Sequence, residues 1–242
     1  MTGLNRKLIW TVILGLVTVV LVSFLADFED TVQALKSFKA VYLPFILILT
    51  FINYLLRFVK WQFFLKQLDI EVPLNDSFAI FLSGLAMSVT PGKVGELLKS
   101  LLLKEIKGVP ISRTAPIIFA ERLSDGFALL VLSLSGLLTF AYGREALAAI
   151  TVVMVVVLIA VSTPSLYNPL IRRCSRLPLV NKFTGVLENL TESVGQLMKP
   201  KALLFTVFLG IVSWSFECLA FYLVFIGLGY KVSVLSATFV LA

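Results

Sequence analysis

The side chains able to do chemistry are concentrated in two short stretches. Thr90-Pro91-Gly92-Lys93-Val94-Gly95-Glu96 is followed by Lys99, and Glu121, Arg122 and Asp125 come in the next apolar segment. Thr90 is placed to be an N-cap and Pro91 to be a first helical residue, so a helix is expected to start there with free backbone N–H groups. Gly92 and Gly95 leave that backbone uncovered and Lys93 adds a positive charge, which together suit a phosphate or phosphodiester. Glu96 and Lys99, at i, i+3, are spaced to pair with each other or with Arg122 and Asp125. On a helix Glu121 and Asp125 share a face at i, i+4, with Arg122 near Asp125 at i, i+3. The chain has no His, which removes Ser-His and Cys-His chemistry and any His-ligated metal. Cys174 and Cys218 lie far apart in different kinds of segment and read as two free thiols.

The elements that must hold these groups are membrane helices. Of 242 residues 59% are hydrophobic and 14% charged, and the mean hydropathy is +0.98. A soluble domain is nearer 45–50% apolar and 25% charged. The fold class expected is all-α, a polytopic integral membrane helical bundle. A span needs about 20 apolar residues, which places spans at about 8–25, 41–65, 115–140, 146–163 and 202–228. The first reads as a retained helix, because Ser23-Phe24-Leu25-Ala26-Asp27 is a poor cleavage site. The stretch 78–103 differs: 78–89 is apolar but about 18 Å long as a helix, Thr90-Pro91-Gly92 breaks it, and 93–103 resumes. Two half-length helices around a Pro-Gly break read as a re-entrant hairpin. Basic residues flank it on both sides, Arg57, Lys60 and Lys66 before and Lys104, Lys107 and Arg113 after, so both flanks are expected to be cytoplasmic. Arg6 and Lys7 put the N-terminus on the same side. The segment 164–201 is cytoplasmic too, with an amphipathic pattern at Phe183, Val186, Leu187, Leu190, Val194 and Leu197. Its polar face is mixed in charge, which favours packing under the bundle over adsorption to anionic lipid.

Three further features bear on the site. From Phe127 to Tyr142 there are only 16 residues without a charge, about 24 Å of helix, so the third span must extend back through Glu121, Arg122 and Asp125. An ionised group there costs several kcal/mol unless it is paired or wet. Arg57 and Lys60 are expected to snorkel from the end of the second span, and Glu217, inside the fifth, is a candidate partner for Arg57. Leu68-Asp69-Ile70-Glu71-Val72-Pro73-Leu74 resembles Leu228-Gly229-Tyr230-Lys231-Val232-Ser233-Val234 in position and pattern. The charge count puts the two on opposite sides of the membrane, as in an inverted repeat.

The Thr90-to-Glu96 motif with Lys99, Glu121-Arg122 and Asp125, preceded by Tyr54-Leu55-Leu56-Arg57-Phe58-Val59-Lys60-Trp61, resembles the lysylphosphatidylglycerol synthase transmembrane-region family, the flippase-like domain of multiple peptide resistance factor proteins. The resemblance runs from about Tyr42 to Leu241. It implies movement of a phospholipid or polyprenyl-linked lipid between leaflets of the cytoplasmic membrane. No soluble aminoacyl-transferase domain is attached, so an enzymatic role in lipid lysylation is not expected. The family's second Pro-Gly-Gly-rich segment is expected just after Leu241, where the sequence stops. The substrate-binding residues expected are Thr90, Pro91, Gly92, Lys93, Gly95, Glu96, Lys99, Glu121, Arg122, Asp125 and Arg57. No cofactor, metal or nucleic acid is expected; the partners expected are membrane lipids, an anionic phospholipid or polyprenyl-phosphate substrate, and a second copy or a lipid-modifying enzyme. Two alternatives are a membrane-embedded enzyme acting on a lipid phosphate through Glu96, Glu121 and Asp125, and a non-transporting partner subunit of a glycosyltransferase.

Overall fold

The computed structural model describes residues 28–87, 96–134, 144–163 and 184–242. Nine α-helices lie in them: α1 (Phe28–Ser37), α2 (Leu43–Gln67, extended by a 3-10 turn at Ala40–Tyr42), α3 (Leu74–Ala86), α4 (Leu98–Lys107), α5 (Ile111–Leu134), α6 (Arg144–Ser162), α7 (Thr184–Leu197), α8 (Pro200–Gly227) and α9 (Val234–Leu241). The expected span 8–25, the break at Thr90, Pro91, Gly92, Lys93 and Gly95, and the stretch 164–183 lie outside the described residues.

The polarity of the bundle is inverted relative to a water-soluble one. Its surface carries large apolar side chains, among them Phe45, Leu47, Phe51, Val153, Leu204 and Phe208, while Lys60, Glu96, Lys99, Glu121 and Asp125 are buried. Such an arrangement is stable where the surroundings are hydrocarbon. Among the described residues two helices, 40–67 and 200–227, are long and apolar enough to cross a membrane. Each has 28 residues, or about 42 Å of helix, against a hydrocarbon core of roughly 30 Å.

These two helices are copies of one another. Helix α2 ends with Asp69 at φ 53°; the Asp69 N–H reaches the Lys66 carbonyl at 3.1 Å and the Ile70 N–H the Leu65 carbonyl at 3.0 Å. Helix α8 ends with Gly229 at φ 85°, the Gly229 N–H bonding Ile226 O and the Tyr230 N–H bonding Phe225 O, both at 3.0 Å. Both are Schellman caps, and after each the chain runs to a new helix start at Leu74 or Val234. The two helices pack antiparallel: Lys39 N–H donates to Gly227 O, the Asn53 amide meets Ser213, and the Phe63 ring lies 4.7 Å from that of Phe205. Asn53 and Ser213 are themselves 160 positions apart, the same offset as between the two caps. An approximate twofold axis that exchanges the two helices therefore passes between Asn53 and Ser213, at the level of the helix midpoints and perpendicular to both helices, and the repeat is inverted.

Elsewhere the boundaries move for local reasons. Helix α4 runs to Lys107 rather than 103 because Gly108, at φ 70°, is the residue that turns the chain, its N–H bonding Lys104 O at 2.9 Å. It starts at Leu98 rather than 93, after a 3-10 turn at 96–97. Helix α5 starts at Ile111, before the expected 115, where Arg113 Nη2 donates to Leu68 O at 2.8 Å and pins it to the end of α2. Its described part ends at Leu134, and 135–140 lie outside the described residues. Helix α7 packs under the bundle along α5, with Asn189 Nδ2 on Ser112 Oγ at 3.4 Å and Leu197 fully buried. The core gathers at the C-terminal end of α2, around Trp61, Phe64, Leu65, Leu68, Ile80, Phe81, Leu103, Ile117 and Leu197.

Candidate functional site

Six charged side chains from four parts of the chain meet beside that core. Lys60 on α2 has its Nζ 2.6 Å from Asp125 Oδ1 and 3.4 Å from Ser124 Oγ, both on α5. Lys99 on α4 donates to Glu121 Oε2 at 2.5 Å. Arg122 Nη2 lies 3.5 Å from Glu96 Oε2 and 3.5 Å from Asp125 Oδ2. Three cations face three anions, so the set is neutral.

Each member owes its place to a local feature. Glu121, Arg122 and Asp125 occupy one face of α5, as their spacing requires. Lys60 passes a thin point in the packing: at Gly210 an added Cβ would lie 3.2 Å from Lys60 Nζ, 2.9 Å from Ala128 Cβ and 3.4 Å from Ser124 O. The missing side chain is what lets α8, α5 and the lysine tip converge. Lys99 threads over α3 in the same way, since a Cβ on Gly84 would lie 2.6 Å from Lys99 Cγ. Its ammonium then sits 4.5 Å from the Trp61 ring centroid and 5.9 Å from that of Phe81. A desolvated cation over an indole face is stabilised by roughly 2 kcal/mol. The Trp61 ring is held in turn by its Nε1–H on Ser77 Oγ at 3.1 Å.

Depth follows from the twofold axis. Lys60 is seven residues beyond Asn53, about 10 Å along the helix, and its Nζ reaches back to the level of Gly210, about 5 Å from the midpoint. The charges thus lie within the bundle, on the α2 C-terminal side of the helix midpoints.

Of the expected site residues, Glu96, Lys99, Glu121, Arg122 and Asp125 are brought together. Thr90, Pro91, Gly92, Lys93 and Gly95 lie outside the described residues. Two expectations are corrected. Lys60 does not snorkel; it is 2% exposed and ion-paired, because Asp125 gives it a closer partner than the interface does. Arg57 forms no ion pair with Glu217 among the described residues; it stands 6.0 Å from the Tyr54 ring, its charge acting through space on Asp125 and Glu217. Antiparallel packing explains this, since Arg57 and Glu217 lie on opposite sides of the helix crossing. Sequence reasoning passed over Lys60 as a site residue. The signal was available in the pattern of one basic residue per turn, Arg57 and Lys60, in an otherwise apolar span.

An apolar groove of about 370 Å³ runs between α2 and α3, lined by Phe51, Tyr54, Leu55, Phe78, Phe81, Leu82, Leu85 and Ala86. Phe81 separates it from Lys99. Among the described residues no group of three His, Cys, Asp or Glu is placed to hold a metal ion.

The model of the lysylphosphatidylglycerol synthase TM region matches residues 12–242. Comparison with curated proteins and with solved structures gives no match. The chain belongs to the lysylphosphatidylglycerol synthase TM region family, and it is a membrane protein of that lipid-related family.

Proposed function

We propose that this member of the family moves an anionic phospholipid or polyprenyl-linked lipid between the leaflets of the cytoplasmic membrane, with its N-terminus in the cytoplasm. One observation carries the proposal: a neutral set of six charges, five of them buried and Arg122 partly exposed, is gathered within an apolar-surfaced bundle. Structural stability does not call for it, because a buried ion pair is often no better than apolar packing of the same volume. Intramembrane ionisable groups of this kind mark the paths of polar substrates. The adjoining apolar groove between α2 and α3 suits a hydrocarbon chain, and its separation from Lys99 by a single ring fits a ligand with an acyl tail and a phosphate head. Catalysis is not assigned to the site, because Glu96, Glu121 and Asp125 each face a cation, leaving no free carboxylate cluster of the kind a magnesium-dependent transferase needs.

The test is movement of a fluorescent phosphatidylglycerol in proteoliposomes, read by dithionite quenching. Wild-type protein is expected to expose the inner-leaflet probe, and Arg122→Ala and Lys99→Met to reduce the rate at least tenfold with the variants still monodisperse. A wild-type rate equal to that of empty liposomes refutes transport, and retention of the full rate by both variants refutes the site.

A further inference from the structure

The three cations of the network are held differently. Lys60 and Lys99 each have a dedicated carboxylate at 2.6 and 2.5 Å, and their side chains are 2% and 5% exposed. Among the described residues Arg122 has two charged contacts, both long at 3.5 Å, and its buried Nε has no hydrogen-bond partner among them. Its side chain is 29% exposed. Its partner Glu96 is 3% exposed, and its Oε2 also lacks a hydrogen bond among the described residues. A guanidinium presents five donors in a fork that fits carboxylate or phosphate with two parallel bonds at about 2.8 Å. The fork of Arg122 is thus occupied by a carboxylate that does not engage it fully.

We infer that Glu96 is an internal placeholder for the lipid phosphate, seated on Arg122 in the resting protein and displaced when a phosphodiester monoanion binds. The inference rests on the proposed translocation and adds how the site accepts and releases its substrate. Charge counting selects Glu96. The network is neutral at three against three, so an incoming monoanion leaves an excess negative charge unless one carboxylate withdraws. Glu121 and Asp125 are on the interior of α5 and each is locked by a lysine. Glu96 lies on the 3-10 turn before α4, off the helix, and is attached by the weaker contact. One carboxylate leaving also fixes the class of ligand: a phosphodiester with a single negative charge matches the vacated seat, and a phosphomonoester dianion overfills it.

Binding of dihexanoylphosphatidylglycerol to the purified full chain in detergent, by titration calorimetry, tests this. Glu96→Gln keeps the shape and removes the competing charge; it is expected to bind about tenfold tighter than wild type while moving lipid more slowly in proteoliposomes, because release now lacks its competitor. Glu96→Asp, which withdraws the carboxylate by one methylene, shifts affinity the same way and stands in if the glutamine variant does not fold. Arg122→Lys keeps the charge without the fork and is expected to weaken binding at least fivefold. Dihexanoylphosphatidic acid and inorganic phosphate are expected to bind at least tenfold more weakly than the diester in wild type. Unchanged or weaker binding in both Glu96 variants overturns the placeholder, whether or not wild type moves lipid. Inorganic phosphate binding as tightly as the diester overturns the lipid as ligand. A tightened Glu96→Gln with no lipid movement by wild type leaves the seat standing and refutes translocation.

Discussion

Asp69 and Gly229 close two helices of equal length with the same pair of capping bonds, yet a few turns before those caps the helices part company. Lys60 on α2 corresponds, across the twofold, to Ala220 on α8; Trp61 and Ser77, joined by a hydrogen bond, correspond to Phe221 and Ala237. The Phe58 and Phe78 rings, 5.1 Å apart, have Cys218 and Thr238 in their place. Backbone design is shared while polarity is not. The half built on α2 and α3 holds a buried ammonium at Lys60, and the half built on α8 and α9 has the buried Ala220 at the matching point. Of the charged residues of the network, Lys60 is the one whose counterpart can be compared, and its replacement by Ala220 distinguishes the two helix ends.

The sharpest way to break that contrast is to exchange its defining residue. Lys60→Ala leaves Asp125 buried with only the 3.5 Å contact to Arg122, and breaking a buried pair by removing one partner costs about 3–5 kcal/mol. Ala220→Lys puts an ammonium at the matching depth, at a position 3% exposed, and is expected to cost about 3 kcal/mol. Chemical denaturation in detergent measures both. The double variant Lys60→Ala with Asp125→Ala is expected to lose less than the sum of the single losses by 1 kcal/mol or more, as coupled groups do. A loss below about 1 kcal/mol for Lys60→Ala would show that the charged half is not built around its ion pairs, and the comparison would lose its basis.

Next in size is Gly84→Ala. The new Cβ, 2.6 Å from Lys99 Cγ, forces the lysine stem off its path between α3 and Trp61, at an expected 1–3 kcal/mol and with slowed lipid movement. Gly195→Ala on α7, where nothing lies within 4 Å, is the control and is expected to stabilise by about 0.5–1 kcal/mol. Equal effects at the two glycines would mean that Lys99 has room to relocate.

The charged half was partly legible in the sequence: the 16 residues from Phe127 to Tyr142 are too few to span, which puts Glu121, Arg122 and Asp125 on the same helix, and the structure brings all three together on α5. Lys60 was not, since a lysine two turns from a helix end reaches water as readily as it reaches a carboxylate, and only the approach of α5 decides between them. The repeat was faint for the opposite reason. Its two copies share a backbone device that Asp69 and Gly229 both satisfy, so selection on the fold leaves little identity behind, Leu68 with Leu228 and Val72 with Val232. The helical bundle, the short helices α3 and α4 and the packing of α7 followed from apolar length and helical period. The partner of Arg57 did not, because which residues face each other across α2 and α8 depends on antiparallel register, which no local pattern encodes.

A smaller effect tests the axis itself. Asn53 Nδ2 donates to Ser213 O at 2.7 Å and lies 3.3 Å from Ser213 Oγ, both groups at the helix midpoints. Asn53→Leu removes both contacts and is expected to cost about 0.6–1.7 kcal/mol, the measured range for hydrogen bonds between membrane helices. Ser213→Ala keeps the bond to the carbonyl and is expected to cost less than half as much. A reversed order would place the junction of the two copies elsewhere along the helices.

The smallest expected effect bears on what the two copies share. Asp69 takes the left-handed conformation at φ 53° that Gly229 takes at φ 85°. A residue with a Cβ is strained there by roughly 1–2 kcal/mol, less for Asp than for most, while glycine loses more backbone entropy on folding. The two terms oppose each other. Asp69→Gly is therefore expected to stabilise by no more than about 1 kcal/mol, and Gly229→Asp to destabilise by a similar amount. Gly229→Val, β-branched at positive φ, should cost clearly more than Gly229→Asp in the same denaturation assay. If Asp69→Val and Gly229→Val cost the same within about 0.5 kcal/mol, the two caps carry equal weight and the halves differ only in their charges. If Asp69→Val costs more, the turn beneath the charged network carries load that its apolar counterpart does not, and the asymmetry extends from the side chains into the backbone that positions them.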